Sequence, residues 1–230
     1  MQPWARPIAL AFGLPRCSNR SVPLTRLILL RHGETQWNVE GRYQGQFDSP
    51  LTDAGLGQAR ALAARFVGQT FAALYSSDSG RARQTAEIIS SQTRHAVQLH
   101  VGLRERNLGE FQGHTRAEVK TRWPEEYCRF RSGEADYAPP GGESNRSLTA
   151  RITAALAEIA ASHSRETIVV VTHGGLLSAF FRHVLELPLD APRRFARVNA
   201  SWNCFTVEDG KWMLETWGDT THLGELNQAR

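Results

Sequence analysis

The stretch that decides the fold reads LILLRHGET and spans residues 27–35. A short apolar run that ends in a glycine turn predicts a buried strand. In an open α/β sheet, ligands bind in the crevice outside the carboxyl ends of the strands. The stretch therefore places the guanidinium of Arg31 and the imidazole of His32 where a ligand would lie, and Gly33 allows a close backbone approach.

A second stretch repeats the pattern, reading TIVVVTHGG over residues 167–175. Two predicted strands thus each deliver a histidine followed by glycine to the same edge of a sheet. Two polar segments lie between them, reading SSDSGRARQT over residues 76–85 and LRERNLGE over residues 103–110.

These four motifs, in this order, resemble the histidine phosphatase superfamily, which includes the cofactor-dependent phosphoglycerate mutases. The resemblance runs from about Leu27 to Leu223. It implies an enzyme that transfers a phosphoryl group through a phosphohistidine and uses no metal.

The apolar patterns predict strands that alternate with helices. Helical periodicity appears over residues 51–68, 79–91, 144–162 and 175–187, and Asp209-Gly210 marks a hairpin between two late strands. Such alternation predicts a three-layer α/β fold with a mostly parallel central sheet and helices on both faces. We expect residues 25–225 to form the domain, with a small cap insertion at about residues 106–142.

Residues 1–24 precede the region of resemblance. They hold four prolines and no acidic residue, and we expect a disordered N-terminal extension. The arginines in this segment leave an organelle-targeting peptide as the alternative.

The composition and charge of the chain limit the kinds of partner that we expect it to bind. The 230 residues carry 41% hydrophobic and 22% charged side chains, as in soluble globular proteins. The net charge of +4 comes from residues 1–26, and the rest of the chain is balanced, so no nucleic-acid footprint is indicated. No apolar stretch reaches the roughly 18 residues of a membrane span. A small phosphorylated substrate is the expected partner, and the oligomeric state stays open between monomer and dimer.

The chain has three widely spaced cysteines, Cys17, Cys128 and Cys204. Their number and spacing argue against a disulfide framework and against a zinc site, and favour a reducing compartment. We therefore expect a cytoplasmic protein.

Phosphoryl transfer needs positive charge and donors around three equatorial oxygens. Arg31, Arg81 and His173 supply such groups, and Asn38 adds a neutral donor. Arg81 follows Gly80 at the start of a predicted helix, where backbone amides also favour an anion.

The roles of further residues come from the resemblance. It implies that His32 carries the phosphoryl group and that His173 contacts it during transfer. It also implies that Gln44, Gly45 and the amide of Gly174 bind substrate. Two nearby guanidinium groups would favour the neutral imidazole that His32 needs as a nucleophile.

The leaving oxygen needs a proton, which a carboxyl group can supply. The resemblance places this general acid and base at Glu105. The residues alone leave the choice open between Glu105, Glu34, Glu110 and Glu143.

Three functions are compatible with these motifs. A phosphatase passes the phosphoryl group to water, whereas a mutase passes it to a second hydroxyl of a bound phosphoglycerate and requires 2,3-bisphosphoglycerate. Because 67 residues separate Glu105 from His173, the short cap resembles the broad-specificity phosphatases, and we expect a phosphatase without a cofactor. A non-catalytic phospho-ligand module is the third alternative, although the chain keeps both histidines.

Overall fold

The computed structural model describes residues 24–227. The predicted disorder of residues 1–24 therefore falls, except for Leu24, outside the described residues. Six strands lie within the described range, in chain order β1 Thr25–Arg31, β2 Ala73–Ser76, β3 Val97–Leu99, β4 Thr167–Thr172, β5 Trp202–Glu208 and β6 Lys211–Asp219.

Seven α-helices lie in the same range. They are α1 Gln36–Glu40, α2 Asp53–Arg65, α3 Gly80–Thr93, α4 Arg116–Arg122, α5 Pro124–Ser132, α6 Asn145–Ala161 and α7 Gly174–Val184. Short 3-10 turns occupy Val101–Leu103, Gly109–Phe111 and Thr221–Asn227.

The strands form one sheet in the order β3-β2-β4-β1-β5-β6. The first four strands of that order are parallel, whereas β5 pairs antiparallel with β1 and β6 with β5. The predicted α/β fold with a mostly parallel sheet is confirmed. The predicted hairpin turn is also present, because Asp209 and Gly210 both adopt positive φ, at 48° and 74°.

The core lies on both faces of this sheet because successive strand residues point to opposite sides. On β1, Leu27 and Leu29 join the cluster formed with α6 and α7, whereas Ile28 and Leu30 join the cluster formed with α2 and α3. A strand buried on both faces reads as a continuous apolar run rather than an alternating one. This explains why the stretch LILL is such a clear signal.

Polar side chains cap the starts of several helices. The side chain of Thr52 accepts a hydrogen bond from the Gly55 amide and caps α2, and Thr115 and Glu118 form a capping box at the start of α4. Sequence analysis missed α1, a five-residue helix without a buried side chain. Its signal is another capping box, in which Thr35 and Asn38 each bind the other's backbone amide.

The segment predicted as a cap contains α4 and α5. A small apolar cluster holds these helices together, built on Leu108, Phe111 and Val119. Arg116, Phe130 and Arg131 of this segment face the same cavity as His32. Between residues 24 and 227, no helix is long and apolar enough to cross a membrane.

Candidate active site

Parallel pairing of β1 with β4 sets the two histidines side by side. The register places Arg31 opposite Thr172, and the His32 amide donates a hydrogen bond of 3.0 Å to the Thr172 carbonyl. The next residue of each strand is a histidine, and the ring centroids of His32 and His173 lie 5.3 Å apart. Both side chains are buried, with 3% and 0% exposure.

The hydrogen bonds of His32 define its tautomer. Nδ1 lies 2.7 Å from the Gly33 carbonyl oxygen, which can only accept, so Nδ1 carries the proton of the neutral ring. Nε2 is 3.3 Å from Nε of Arg81, which can only donate. The lone pair of Nε2 is therefore directed at the guanidinium of Arg81.

Both histidines are held in the neutral form. Burial lowers the pKa of His32 well below its ordinary value, and the charges of Arg81 and Arg31 lower this pKa further. Burial likewise lowers the pKa of His173, with added effects from Arg81 and His32. A neutral imidazole keeps the lone pair that attack on phosphorus requires.

Arg81 is almost completely buried, with 1% exposure, and its guanidinium is oriented by the segment before α2. Nη2 donates to the Gly45 carbonyl at 2.8 Å, and Nη1 donates to the Phe47 carbonyl at 2.8 Å and to Asp48 Oδ1 at 3.1 Å. These contacts leave Nε to face His32. Gly45 has a φ of +55°, which favours glycine at this bend.

Arg31 enters the same cavity from the end of β1. Its Nη1 donates to the Arg197 carbonyl in the loop before β5. Gly174 packs against it, since a Cβ there would lie 3.1 Å from Nε of Arg31. Gly174, which follows His173, therefore leaves room for the side chain of Arg31.

Two amide side chains are organised around Thr35. Asn38 Oδ1 accepts from the Thr35 amide at 3.2 Å and from Asn199 Nδ2 at 3.1 Å. Gln44 Nε2 donates to Thr35 Oγ1 at 2.8 Å. Asn199 also lies 3.2 Å from the His32 carbonyl and 3.3 Å from the Gly33 carbonyl. It therefore joins the nucleophile turn to Asn38.

Glu105 lines the same cavity as His32. Its Oε1 accepts from the Arg106 amide at 2.8 Å and its Oε2 from the Gly175 amide at 2.7 Å. A Cβ on residue 175 would overlap Oε1, so glycine at this position leaves room for the Glu105 carboxyl group. The carboxyl group is thus fixed at the N-terminus of α7.

His173 is fixed by Ser77, whose Oγ lies 2.8 Å from Nε2. Its Nδ1 is buried and has no hydrogen-bond partner among residues 24–227.

The cavity brings most of the predicted site residues together. All of them except His173 and Gly174 line it, namely Arg31, His32, Asn38, Gln44, Gly45, Arg81 and Glu105. Their catalytic and binding roles stay predictions.

The structure separates the four candidate acids. Glu105 and Asp190 are the carboxyl groups that line the cavity within residues 24–227. Glu34 accepts a hydrogen bond from Thr52, Glu110 is exposed, and both carboxylate oxygens of Glu143 bind Arg151. Geometry therefore favours Glu105.

Sequence analysis assigned no role to Asp48, Ser77, Gly175 or Asn199, although each positions a site residue. Ser77 and Gly175 lie inside the quoted motifs, which was a usable signal. Asp48 and Asn199 lie in connecting segments with no motif of their own. Within residues 24–227, no group of three histidine, cysteine, aspartate or glutamate side chains is arranged to hold a metal ion.

The fold and the site together define an α/β enzyme of phosphoryl transfer. Neutral histidine, paired guanidinium groups and a fixed carboxyl group meet at the carboxyl ends of parallel strands, where such folds bind ligands.

Comparison with known proteins agrees. Residues 27–220 match the model of the histidine phosphatase superfamily (branch 1), and the chain belongs to that family. The chain is 40% identical over 215 residues to phosphoglycerate mutase-like protein 4 of Arabidopsis thaliana, covering 91% of this chain and 92% of that protein. It is 39% identical to the metal-independent phosphoserine phosphatase of Arabidopsis thaliana, covering 88% and 85%.

A solved structure, that of Bacillus stearothermophilus YhfR, superposes with a TM-score of 0.81 at 36% identity, covering 86% of this chain and 99% of that one. The predicted family, the predicted α/β fold and the predicted class of phosphatase or phosphoglycerate mutase-like enzyme are therefore confirmed.

The site's electrostatics predict how its histidines titrate. We expect His32 and His173 to stay neutral at pH 6, where a free histidine is largely protonated, because burial and two guanidinium groups lower their pKa values. The ring-nitrogen shifts in ¹⁵N NMR, recorded against pH, report this directly. The control is the same protein unfolded in urea, in which both histidines should titrate with a pKa of about 6.5. Titration of both rings near that value in the folded protein contradicts the prediction.

Proposed function

We propose that this chain hydrolyses phosphomonoesters through a phosphohistidine formed on His32. The observation that carries the proposal is the tautomer of His32. Its Nδ1 is bound to the Gly33 carbonyl, so the lone pair of Nε2 points toward Arg81 and the cavity. Arg31, Arg81 and Asn38 line the same cavity and offer donors for the phosphoryl oxygens.

In the first step, Nε2 of His32 attacks phosphorus and the bond to the ester oxygen breaks. Glu105 donates a proton to that oxygen, which leaves as an alcohol. In the second step, Glu105 takes a proton from water as the water attacks phosphorus, and the P–N bond breaks to give inorganic phosphate and free His32. Donors aimed at the phosphoryl oxygens stabilise the charge in both steps.

We further propose that residues 106–142 act as a cap that limits access to the cavity and that residues 25–225 are the functional domain. The phosphohistidine route needs no metal or organic cofactor. A cytoplasmic location also stays a prediction, supported by Cys128 and Cys204, which are free thiols.

Replacement of His32 by asparagine tests the proposal directly. We expect His32→Asn to lower turnover of p-nitrophenyl phosphate on the order of 10⁴-fold or more, because the covalent route is lost. Brief incubation with ³²P-labelled substrate is expected to leave an acid-labile label on the wild-type chain and on a control variant that keeps His32, but none on His32→Asn. His183→Asn is the matched control, since His183 is exposed and outside the cavity lining. Label retained in His32→Asn, or activity that EDTA removes reversibly, would refute this route.

The role of Glu105 predicts a dependence on the leaving group. We expect Glu105→Gln to lower kcat/KM for alkyl phosphates by about 10²–10⁴-fold. The loss on p-nitrophenyl phosphate should be much smaller, because that leaving group departs without a proton. Glu110→Gln, at an exposed position five residues away, is the control. Equal losses on both kinds of ester exclude Glu105 as the acid.

A mutase remains the second candidate, because the arginine-lined cavity offers space and charge for a phosphoglycerate. With 3-phosphoglycerate as substrate, we expect inorganic phosphate and glycerate as products, with or without 2,3-bisphosphoglycerate. ³¹P NMR of the reaction distinguishes the products. Fast formation of 2-phosphoglycerate that depends on the bisphosphate would instead establish a mutase.

A further inference from the structure

The cavity is larger than the phosphoryl group needs. Its volume is about 630 Å³, within the range of roughly 300–1,000 Å³ that is typical of pockets for whole small molecules. Much of its wall is therefore in a position to contact the leaving portion of the substrate. The chemistry of that wall indicates which leaving groups the proposed phosphatase prefers, and this inference rests on the proposed function.

Arginine dominates the wall. Nine arginines line the cavity, at positions 31, 42, 81, 106, 116, 131, 182, 193 and 197, against the carboxyl groups of Glu105 and Asp190. Arg31 and Arg81 serve the phosphoryl group in the proposed mechanism. The others supply more positive charge than a single phosphoryl dianion requires.

Several of these arginines are bound to the fold itself. Arg106 donates to the carbonyls of Glu143 and Tyr137 and to the side chain of Asn145. Arg42 pairs with Glu40 and Glu118, and Arg182 donates to the carbonyls of the loop after α7. Their donors are occupied before any substrate arrives.

Arg197 differs from these arginines in the contacts of its guanidinium. Its side chain is half-buried in the cavity, and its guanidinium makes no hydrogen bond or ion pair with any other residue in the range 24–227. Burial lowers its pKa, while the nearby Glu105 carboxyl group raises it. A desolvated guanidinium without a hydrogen-bonding partner is costly, and a bound anion offsets that cost.

The loop holds Arg197 in place. Phe195 packs on Phe181 and Trp217, with ring centroids 4.4 and 5.3 Å apart, and Trp217 Nε1 donates to the Ala196 carbonyl at 3.2 Å. The Arg197 carbonyl accepts from Arg31. The segment is thus anchored on the fold on one side and on the phosphoryl site on the other.

We propose that Arg197 binds a second anionic group on the leaving portion of the substrate. Arg197 and Glu105 line the same cavity, so Arg197 belongs to the wall that would contact the leaving portion of the substrate, whose ester oxygen takes its proton from Glu105 in the proposed mechanism. An anion close to that oxygen, such as a carboxylate on a phosphorylated hydroxy acid or a second phosphate, can accept two parallel hydrogen bonds from the guanidinium. Arg116 and Arg131, exposed at the cap, extend the positive field to the mouth of the cavity.

Substrate pairs that differ by one anion test this assignment. O-phosphoserine and O-phosphoethanolamine differ by a carboxylate, as 3-phosphoglycerate and glycerol 3-phosphate differ by a carboxylate in place of a hydroxymethyl group. A sugar bisphosphate against its monophosphate provides the phosphate arm. For each pair, the readout is the ratio of the two kcat/KM values.

We expect the wild-type enzyme to prefer the anion-bearing member in the carboxylate arm, the phosphate arm or both, and Arg197→Gln to shrink that preference by roughly 10- to 100-fold. Arg197→Lys should keep part of the preference, because the charge remains while the planar fork is lost. Arg129→Gln is the matched control, since Arg129 is exposed, paired with Glu134 and outside the cavity lining, and it should keep the wild-type ratio.

The outcomes separate this inference from the proposed function. Hydrolysis of p-nitrophenyl phosphate, whose leaving group has no second anion, reports the proposed function alone. If the wild-type enzyme hydrolyses it but shows no preference in either arm, the Arg197 assignment is wrong. The assignment also fails if Arg197→Gln, with a wild-type melting temperature, lowers kcat/KM equally for both members of a pair. Absence of p-nitrophenyl phosphate hydrolysis by the folded wild-type chain instead overturns the proposed function, and this inference with it.

Discussion

The parallel pairing of β1 with β4 is the constraint on which the site depends. Because the register sets Arg31 opposite Thr172, the residues that leave the two strands are His32 and His173, with ring centroids 5.3 Å apart. A slip of one residue in this pairing would bring a residue other than His173 beside His32 and would turn every side chain of the slipped strand to the opposite face. The register of the pairing therefore also fixes the distance between the two imidazoles.

Electrostatics then determine what this pair of rings can do. Arg81 is buried at a desolvation cost, which is offset by two carbonyl oxygens and the Asp48 carboxylate. Its charge, added to burial, keeps both imidazoles neutral. Neutral rings beside two guanidinium groups leave the site with an excess of positive charge in the absence of substrate. In the proposed mechanism the phosphoryl dianion balances this positive charge, so substrate binding and the protonation state needed for attack would depend on the same two arginines.

Whether a contact of the site could be predicted from the sequence depends on whether its residues belong to a recognisable sequence pattern. The proximity of His32 and His173 follows from strand patterns, because strand ends in a parallel sheet meet at one edge. Glu105 was favoured through family resemblance, and only the folded cavity distinguishes it from Glu34, Glu110 and Glu143. The contacts of Asp48 with Arg81 and of Asn199 with Asn38 span 33 and 161 positions. Neither aspartate nor asparagine in a connecting segment carries a periodicity or spacing that indicates such a partner.

The link between Arg31 and the Arg197 carbonyl bears on selectivity as well as binding. Uniform binding of a remote group lowers KM without raising kcat, whereas an interaction that improves in the transition state raises kcat. Because the loop that carries Arg197 also orients Arg31, an anion bound by Arg197 stabilises the loop position in which Arg31 faces the phosphoryl oxygens. Part of the binding energy of the leaving group is thereby used to order a group that acts on the transferred phosphoryl. On this reasoning, a substrate without the second anion loses turnover as well as affinity.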